Sequence, residues 1–372
     1  MFGKLIIKWI MLASNLVAAF FMLLTLLGTV ISPEIWIIPA YFTLVFPIIV
    51  IINIGFVIFW LLVRKWIFLI SLSLLLFSNA QINDTYPIRI GKRDSVLPEN
   101  SISILSFNTM GCGELKKHTK KKPNKVLKYI LDADADIVCL QEYAISDSNE
   151  HLTTADINRI FVKYPYKHVQ FKSMQGNSRY GIATFSKYPI VFKKKIEYPA
   201  SFNSSIFTDI KIKGTTIRLI NNHLESNRIT FQDKAMPLIL KDKFDTENLT
   251  GITLHFSRKL GVAYKLRAFQ ANAVAKVIED SPHKVIVCGD FNDVPASYAY
   301  TKVKGKLKDA FSEAGKGFGW TFNDRFYHFR IDYILYDSDA FSVMDYKSDK
   351  VDFSDHYPVM CRLNMNFLSE SE

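Results

Sequence analysis

Charge is nearly missing from the first 80 residues, where Lys4, Lys8, Glu34, Arg64 and Lys65 are the only ionisable chains of that kind. A stretch so poor in charge cannot clothe itself for water, which argues against a freely soluble N-terminal domain. Cysteine is also scarce. The four thiols are Cys112, Cys139, Cys288 and Cys361, and none has CxxC spacing. That excludes a disulfide framework and speaks against a structural zinc site. Cys139, Cys288 and Cys361 sit within apolar, strand-like runs and read as buried free thiols. There is no internal repeat, and no long basic groove interleaved with aromatic or arginine readers. Beyond residue 80 the chain carries 42 basic and 34 acidic side chains. This small basic excess suits phosphate-rich partners, nucleic acid or anionic lipid, without choosing between them.

What fills the first 80 residues is apolar. Leu5–Ile31 is interrupted only by Lys8, close enough to its end to snorkel, and Ile35–Val63 is apolar throughout. Each exceeds the roughly 20 residues needed to cross a bilayer. The first run is too long for a cleaved signal peptide, and a second follows it directly. A shorter run, Trp66–Phe77, reaches a span only with help from its flanks. The pattern predicts a membrane region over 1–80 with three helices near 5–31, 35–63 and 65–80, then a linker over 81–99. The positive clusters Lys4/Lys8 and Arg64-Lys65 place the N-terminus and the second turn in the cytoplasm. Three crossings would then put the remainder outside it, for a bacterial inner membrane on the periplasmic side. Two crossings would leave it inside.

From about residue 100 to 367 the pattern changes to short apolar runs between polar turns. Strands are predicted at 102–107, 137–140, 169–171, 182–185, 191–196, 206–212, 216–223, 284–288, 329–336 and 357–363, with helices at 125–131 and 264–279. Many strands and few helices point to two sheets packed face to face with helices outside. Polar clusters punctuate these runs: Ser106-Phe107-Asn108, Gln141-Glu142, Asn222-His223-Leu224, Gly289-Asp290-Phe291-Asn292, Arg330-Ile331-Asp332-Tyr333 and Ser354-Asp355-His356. Each sets an ionisable or amide group at or beside the end of a strand-like run. Hard divalent cations want such carboxylate oxygens, and in-line attack on phosphorus needs a base and oxyanion donors on a rigid frame.

Taken together and in this order, the six motifs resemble those of the endonuclease/exonuclease/phosphatase superfamily, over about Ser101 to Met365. The resemblance implies an α/β fold, a four-layer α/β sandwich of two mostly antiparallel sheets flanked by helices, and a divalent metal, usually magnesium, with manganese as a substitute. The residues themselves suggest matching roles. Glu142, with Asn108 and Asp355 close by, is the expected metal-binding set. Asp290 would hold the attacking water. Asn292, two residues on along an extended chain, would reach a phosphoryl oxygen or the ion's outer shell. His356 needs an acceptor on its other ring nitrogen, and Asp332 supplies one. The pattern leaves open which residue activates the water. His223 would donate to a phosphate oxygen or protonate the leaving group, and Tyr180 is a candidate phosphate contact. The lysine-rich run 116–122 reads either as a rim that attracts phosphates or as a solvated loop.

The chain departs from a minimal family domain between residues 225 and 264, where Phe231, Met236, Leu238, Ile239, Leu240, Phe244, Leu254 and Phe256 mix with charges. Amphipathic helices over the mouth of the site are expected there. The reading is a membrane-anchored phosphoesterase. A lipid-headgroup phosphodiester is favoured because the anchor would hold the site beside the bilayer. The rivals are an extracytoplasmic nuclease and an inactive membrane scaffold, the last disfavoured because no expected acid or histidine is missing.

Overall fold

The computed structural model describes residues 2–88, 100–198, 203–230, 233, 246–324 and 327–366. They form two compact units. The first combines residues 1–85, 226–269 and 294–302, and the second 86–225, 270–293 and 303–372.

In the first unit α1 (Phe2–Val30) is followed by α2 (Ile38–Thr43), α3 (Phe46–Leu62), α4 (Phe68–Phe77) and α5 (Asn79–Thr85). Of these, only α1 is long and apolar enough to cross a membrane. The expected second span is broken at residues 44–45. Pro47 in the first turn of α3 lacks an amide hydrogen and disfavours helix in the residue before it, so the run restarts there. At 1.5 Å per residue α3 reaches about 26 Å and α4 only about 15 Å, short of a hydrocarbon core of about 30 Å. Three full crossings therefore do not follow. The start of the expected linker is helical, as α5, while 89–99 lie outside the described residues.

The interior of this unit is an apolar cluster around Met22, Phe46, Ile49 and Val50 that also encloses amides. Inside, Asn15 donates to Ser71 at 2.6 Å and accepts from the Trp60 indole at 2.9 Å, and Asn53 donates to the Ala18 carbonyl. Outside stand Ile7, Trp9, Ile51 and Leu62, each more than 60 % exposed. The helix Thr246–Glu279 is longer than the predicted 264–279. Its first part belongs to this unit, where Tyr41 donates to the Ser257 carbonyl and meets the Tyr264 ring edge-on. Of the expected helices in 225–264, residues 231–232 and 234–245 lie outside the described residues.

The second unit is the expected α/β sandwich. With β3 (Tyr166–Gln175), β5 (Ile190–Ile196), β6 (Ser205–Ile212), β9 (Lys308–Asp309), β13 (Phe341–Ser348) and the strands named next, one six-stranded sheet runs β13-β14-β1-β2-β4-β3 and the other β5-β6-β7-β8-β12-β9, while β10 (Phe322–Asn323) and β11 (His328–Phe329) form a separate pair. The strands that matter are β1 (Ser101–Asn108), β2 (Ile137–Ser146), β4 (Ser178–Ser186), β7 (Thr215–His223), β8 (Lys284–Asp290), β12 (Asp332–Tyr336) and β14 (Val359–Met365). Each sheet holds one central parallel pair, β1/β2 and β7/β8, with antiparallel neighbours. Alternate residues fill the core between the sheets: Ile102 and Ile104, Ile137 and Cys139, Ile217 and Leu219, Ile286 and Cys288. The intervening Leu105, Phe107, Val138 and Leu140 face a second core with Val126, Leu127 and Ile130 of the helix Lys125–Ala133. All four cysteines are buried and free.

Gly289 sits where β7 and β8 approach most closely. Its φ is +130°, and a Cβ there would fall 2.0 Å from the Asn222 carbonyl oxygen. Gly214, in the β6/β7 turn, also has positive φ but faces open space. Gly214→Ala is therefore expected to cost about 1 kcal/mol and Gly289→Ala roughly 3 kcal/mol or more. Urea midpoints of the two variants check this; equal midpoints would contradict the close approach.

Candidate active site

The inward-facing rows of five strands change character along their length. Ile102 and Ile104 lead to Ser106 and Asn108, Ile137 and Cys139 to Gln141, and Leu219 to Asn221 and His223. Ile286 and Cys288 lead to Asp290, and β12 read backwards runs from Tyr336 and Ile334 to Asp332. The parallel strands β1, β2, β7 and β8 bring their carboxyl ends to one edge of the sandwich. β12 and β14 run antiparallel to β8 and β1, so their beginnings arrive at that edge. Asp332 and Asp355-His356 thus lie at or before strand starts, and Asp332 stands in register with Asp290, which in turn partners His223.

Glu142 needs a special device. Simple alternation would send it outward with Val138 and Leu140. A bulge between Leu140 and Tyr143 and a left-handed φ of +49° swing it back. Its carboxylate then lies 3.4 Å from the Asn108 amide nitrogen, which also donates to Asp290 at 3.1 Å. Behind the bulge Met110 to Leu115 all have positive φ, and Thr109 bonds the Gln141 and Glu142 carbonyls. Burial, with Asp355 and Asp332 nearby, holds the Glu142 carboxyl above its usual range, against His356 and the Asn108 bond. Its side chain remains 44 % exposed, so solvent damps that push. Asp355 is exposed.

Around Asp290 the site is closed. Asp290, Asp332 and His356 are all buried, with possible ligand atoms within 4.8 Å of one another. His356 Nδ1 is 2.9 Å from Asp332 Oδ2, and its Nε2 is 3.8 Å from Asp290 Oδ2. Burial would lower the imidazole pKa, but Asp332 and Asp290 outweigh it and hold it up at about 10. His223 Nε2 is 3.6 Å from Asp290 and 4.0 Å from Glu142. There burial prevails over the pull of Asp290 and the pKa falls. The two histidines therefore favour opposite states, His356 charged and His223 neutral. Burial pushes Asp290 up to about 6, against the two histidines. The cluster thus sets one imidazole between two buried carboxylates.

Asn292 has φ +53°, not the extended geometry expected of it. Its backbone amide donates to Asp290 Oδ1 at 2.8 Å, and its side-chain nitrogen to Asp290 Oδ2 and the Leu224 carbonyl. Its donors hold Asp290 in place. Tyr180, on β4 opposite Ala144, packs beside Gly111. The lysine-rich run is exposed apart from a half-buried His118. Arg330 of the Arg-Ile-Asp-Tyr motif turns away from the site and pairs with buried Asp309 at 2.7 Å between the Phe311 and Tyr333 rings.

Several supporting residues were not foreseen. Ser354 donates to the Asn108 carbonyl and accepts from His356 N–H. Thr321 accepts from the amides of Ile331 and Asp332. Gln141 and Asn221 join the two sheets by a 2.7 Å bond. Gln141 and Asn221 could have been found by continuing the inward rows; Thr321 lies in a loop with no local signal.

The matches to known proteins agree with this frame. Residues 105–356 match the Endonuclease/Exonuclease/phosphatase family, and residues 8–85 match a domain of unknown function. No curated protein matches the chain by sequence. Among solved structures, the human Nocturnin catalytic domain with bound sulfate is similar at TM-score 0.50 and 19 % identity, covering 74 % of this chain and 97 % of that one. A humanized D. rerio TDP2 matches at TM-score 0.47 and 18 % identity, over 72 % of this chain and all of that one. An endonuclease/exonuclease/phosphatase from Beutenbergia cavernae matches at 0.46 and 15 %, over 72 % of each chain. Since the family match spans most of the chain and the Nocturnin likeness shows the fold, this protein belongs to the endonuclease/exonuclease/phosphatase family, whose members hydrolyse phosphoester bonds with the help of divalent metals.

Proposed function

We propose that this chain is a divalent-metal-dependent phosphodiesterase that directs water in line at phosphorus. The observation that supports it best is the meeting, at one sheet edge, of an oxygen-rich set and a His–Asp pair. Glu142 and Asp355 offer carboxylate oxygens to a hard cation such as magnesium or manganese, Asn108 would add its amide oxygen on turning over from the arrangement in which its nitrogen faces Glu142, and no thiolate is among them. When bound, such an ion would neutralise charge developing on the phosphoryl oxygens.

The chain's own groups divide the remaining work. Asp290, with a pKa near 6 and fixed by Asn292, orients the attacking water and takes its proton on a carboxylate oxygen. His356, charged and anchored by Asp332, presents Nε2–H to the phosphorane-like transition state. Neutral His223 donates a hydrogen bond to another phosphoryl oxygen. An inactive scaffold would have no use for this arrangement.

Anchoring belongs to the same proposal. The exposed aliphatic surface and buried amides of the N-terminal unit suit lipid surroundings, with α1 as the crossing element. The apolar rim that a lipid enzyme would show falls among residues 225–264, of which 231–232 and 234–245 lie outside the described residues. A bilayer partner is supported by the anchor alone.

Four outcomes follow. Excess EDTA should abolish cleavage of bis-p-nitrophenyl phosphate and added Mg or Mn should restore it; activity that survives EDTA would refute the metal. Glu142→Gln and His356→Ala should each lower kcat by about 10³-fold with the fold intact by circular dichroism. In metal-free protein, histidine NMR should find His356 still protonated at pH 8, and Asp332→Asn should bring its titration down. Because the folded pKa of about 10 exceeds the unfolded value near 6.5, this pair stabilises the fold fully below about pH 6.5 and loses its contribution as pH rises through about 10. Finally, the chain should resist extraction from membranes by alkaline carbonate, whereas release into the soluble fraction would end the anchoring proposal.

A further inference from the structure

The His356–Asp332 pair joins two strands that share no ladder. Asp332 opens β12 in one sheet, and His356 stands just before β14 in the other. No strand pairing therefore fixes the 2.9 Å between His356 Nδ1 and Asp332 Oδ2. Nor is the Asp332 carboxylate braced as Asp290 is. Asp290 accepts hydrogen bonds from the backbone and side chain of Asn292 and from Asn108. Asp332 Oδ1 is buried with no hydrogen-bond partner, which leaves His356 on Oδ2 as the one hold on the carboxylate. Its place thus follows from its backbone.

On one side that backbone is paired with β8. On the other, β9 reaches only Leu335 and Tyr336, so the beginning of β12 has no strand beside it. Thr321 fills the gap. It is fully buried, and its hydroxyl oxygen accepts from the amides of Ile331 and Asp332, each at 3.0 Å. The same residue reaches the other sheet. The Thr321 carbonyl accepts from the Tyr357 amide at 2.6 Å, and the Asn323 amide donates to the Asp355 carbonyl at 2.8 Å. Between these bonds Phe322 bridges His356, and their rings meet at 5.2 Å. Residues 321–323 thus clip the start of β12 to the segment 355–357. The backbone half of the clip does not depend on the side chain at 321. The hydroxyl half does, and without it two buried amides lose their acceptor.

We propose that Thr321 is a positioning residue for the His356–Asp332 pair. Its hydroxyl holds the Asp332 backbone where the carboxylate can orient the imidazole, and the backbone of the same clip holds the imidazole's own segment. Thr321 acts through Asp332 and not on the substrate. This rests on the phosphodiesterase reading above and names a residue on which turnover at that site depends.

Thr321→Val keeps the branched shape and removes the hydroxyl; Thr321→Ser keeps the hydroxyl. With the full chain in detergent, magnesium and bis-p-nitrophenyl phosphate, Thr321→Val should lower kcat about 30-fold and leave KM within about twofold, while Thr321→Ser stays within about threefold of the unaltered chain. On an Asp332→Ala background Thr321→Val should cost less than about threefold more, because the two residues act as one unit. A second readout needs no turnover. In metal-free protein with isotope-labelled histidine, the Nδ1 proton of His356, identified by its loss in His356→Ala, should lie far downfield, move upfield in Thr321→Val and return in Thr321→Ser. Hydrogen exchange needs no variant. In the unaltered chain the Ile331 and Asp332 amides should be protected as strongly as those paired between β8 and β12. Rapid exchange there overturns the clip, even where Thr321→Val does not fold. Equal kcat in the valine and serine forms, fully multiplicative losses with Asp332→Ala, or an unmoved imidazole proton each overturn the positioning role and leave Thr321 a packing residue. If no form cleaves any diester, the phosphodiesterase reading fails, while the imidazole proton and the exchange rates still judge the clip.

Discussion

Two buried carboxylates, Asp290 and Asp332, stand in register on neighbouring strands, and the imidazole of His356 reaches both. Removed from water, two such anions would repel each other and resist ionisation. A proton shared into the cluster through His356 makes the arrangement tolerable. The His356 pKa rises to about 10 for this reason, while Asp290 remains near 6. At about 1.4 kcal/mol per pKa unit, keeping Asp290 ionised at neutral pH costs roughly 3 kcal/mol. In the proposed reaction that raised pKa would suit Asp290 to accept a proton from water.

The sandwich exists, from the standpoint of this site, to assemble that cluster. Parallel central pairs deliver Asn108, His223 and Asp290 at strand ends and Glu142 at the bulge within β2, and antiparallel neighbours deliver Asp332 at a strand beginning and His356 just before one. Below them the inward rows are aliphatic, then carry Ser106, Gln141 and Asn221, then the ionisable groups. Polarity rises in steps toward the open edge, so each charged group has a hydrogen-bonding layer beneath it instead of bare hydrocarbon.

The N-terminal unit is built differently. Asn15, Asn53 and Ser71 are buried beside an apolar cluster of Met22, Phe46, Ile49 and Val50, and many aliphatic side chains remain outside. Buried amides there are satisfied by contacts between helices.

Much of this was legible in the sequence. Period-two alternation marked the strands, and because the side-chain period is two, the inward row could be followed to Asn108, His223 and Asp290 by counting. The six ordered motifs also announced the family. Other features were decided only in three dimensions. The bulge that turns Glu142 inward depends on pairing with β4, not on its own neighbours. Thr321 reaches Asp332 because β12 folds back beside its loop. Pro47 lies inside the run expected to form one span, and helix geometry restarts the helix around it. The opposite protonation tendencies of His223 and His356 could not be read from residue type, since they arise from burial and the number of carboxylates each ring faces. Short-range pattern determines which face a side chain takes; only packing determines what it meets there.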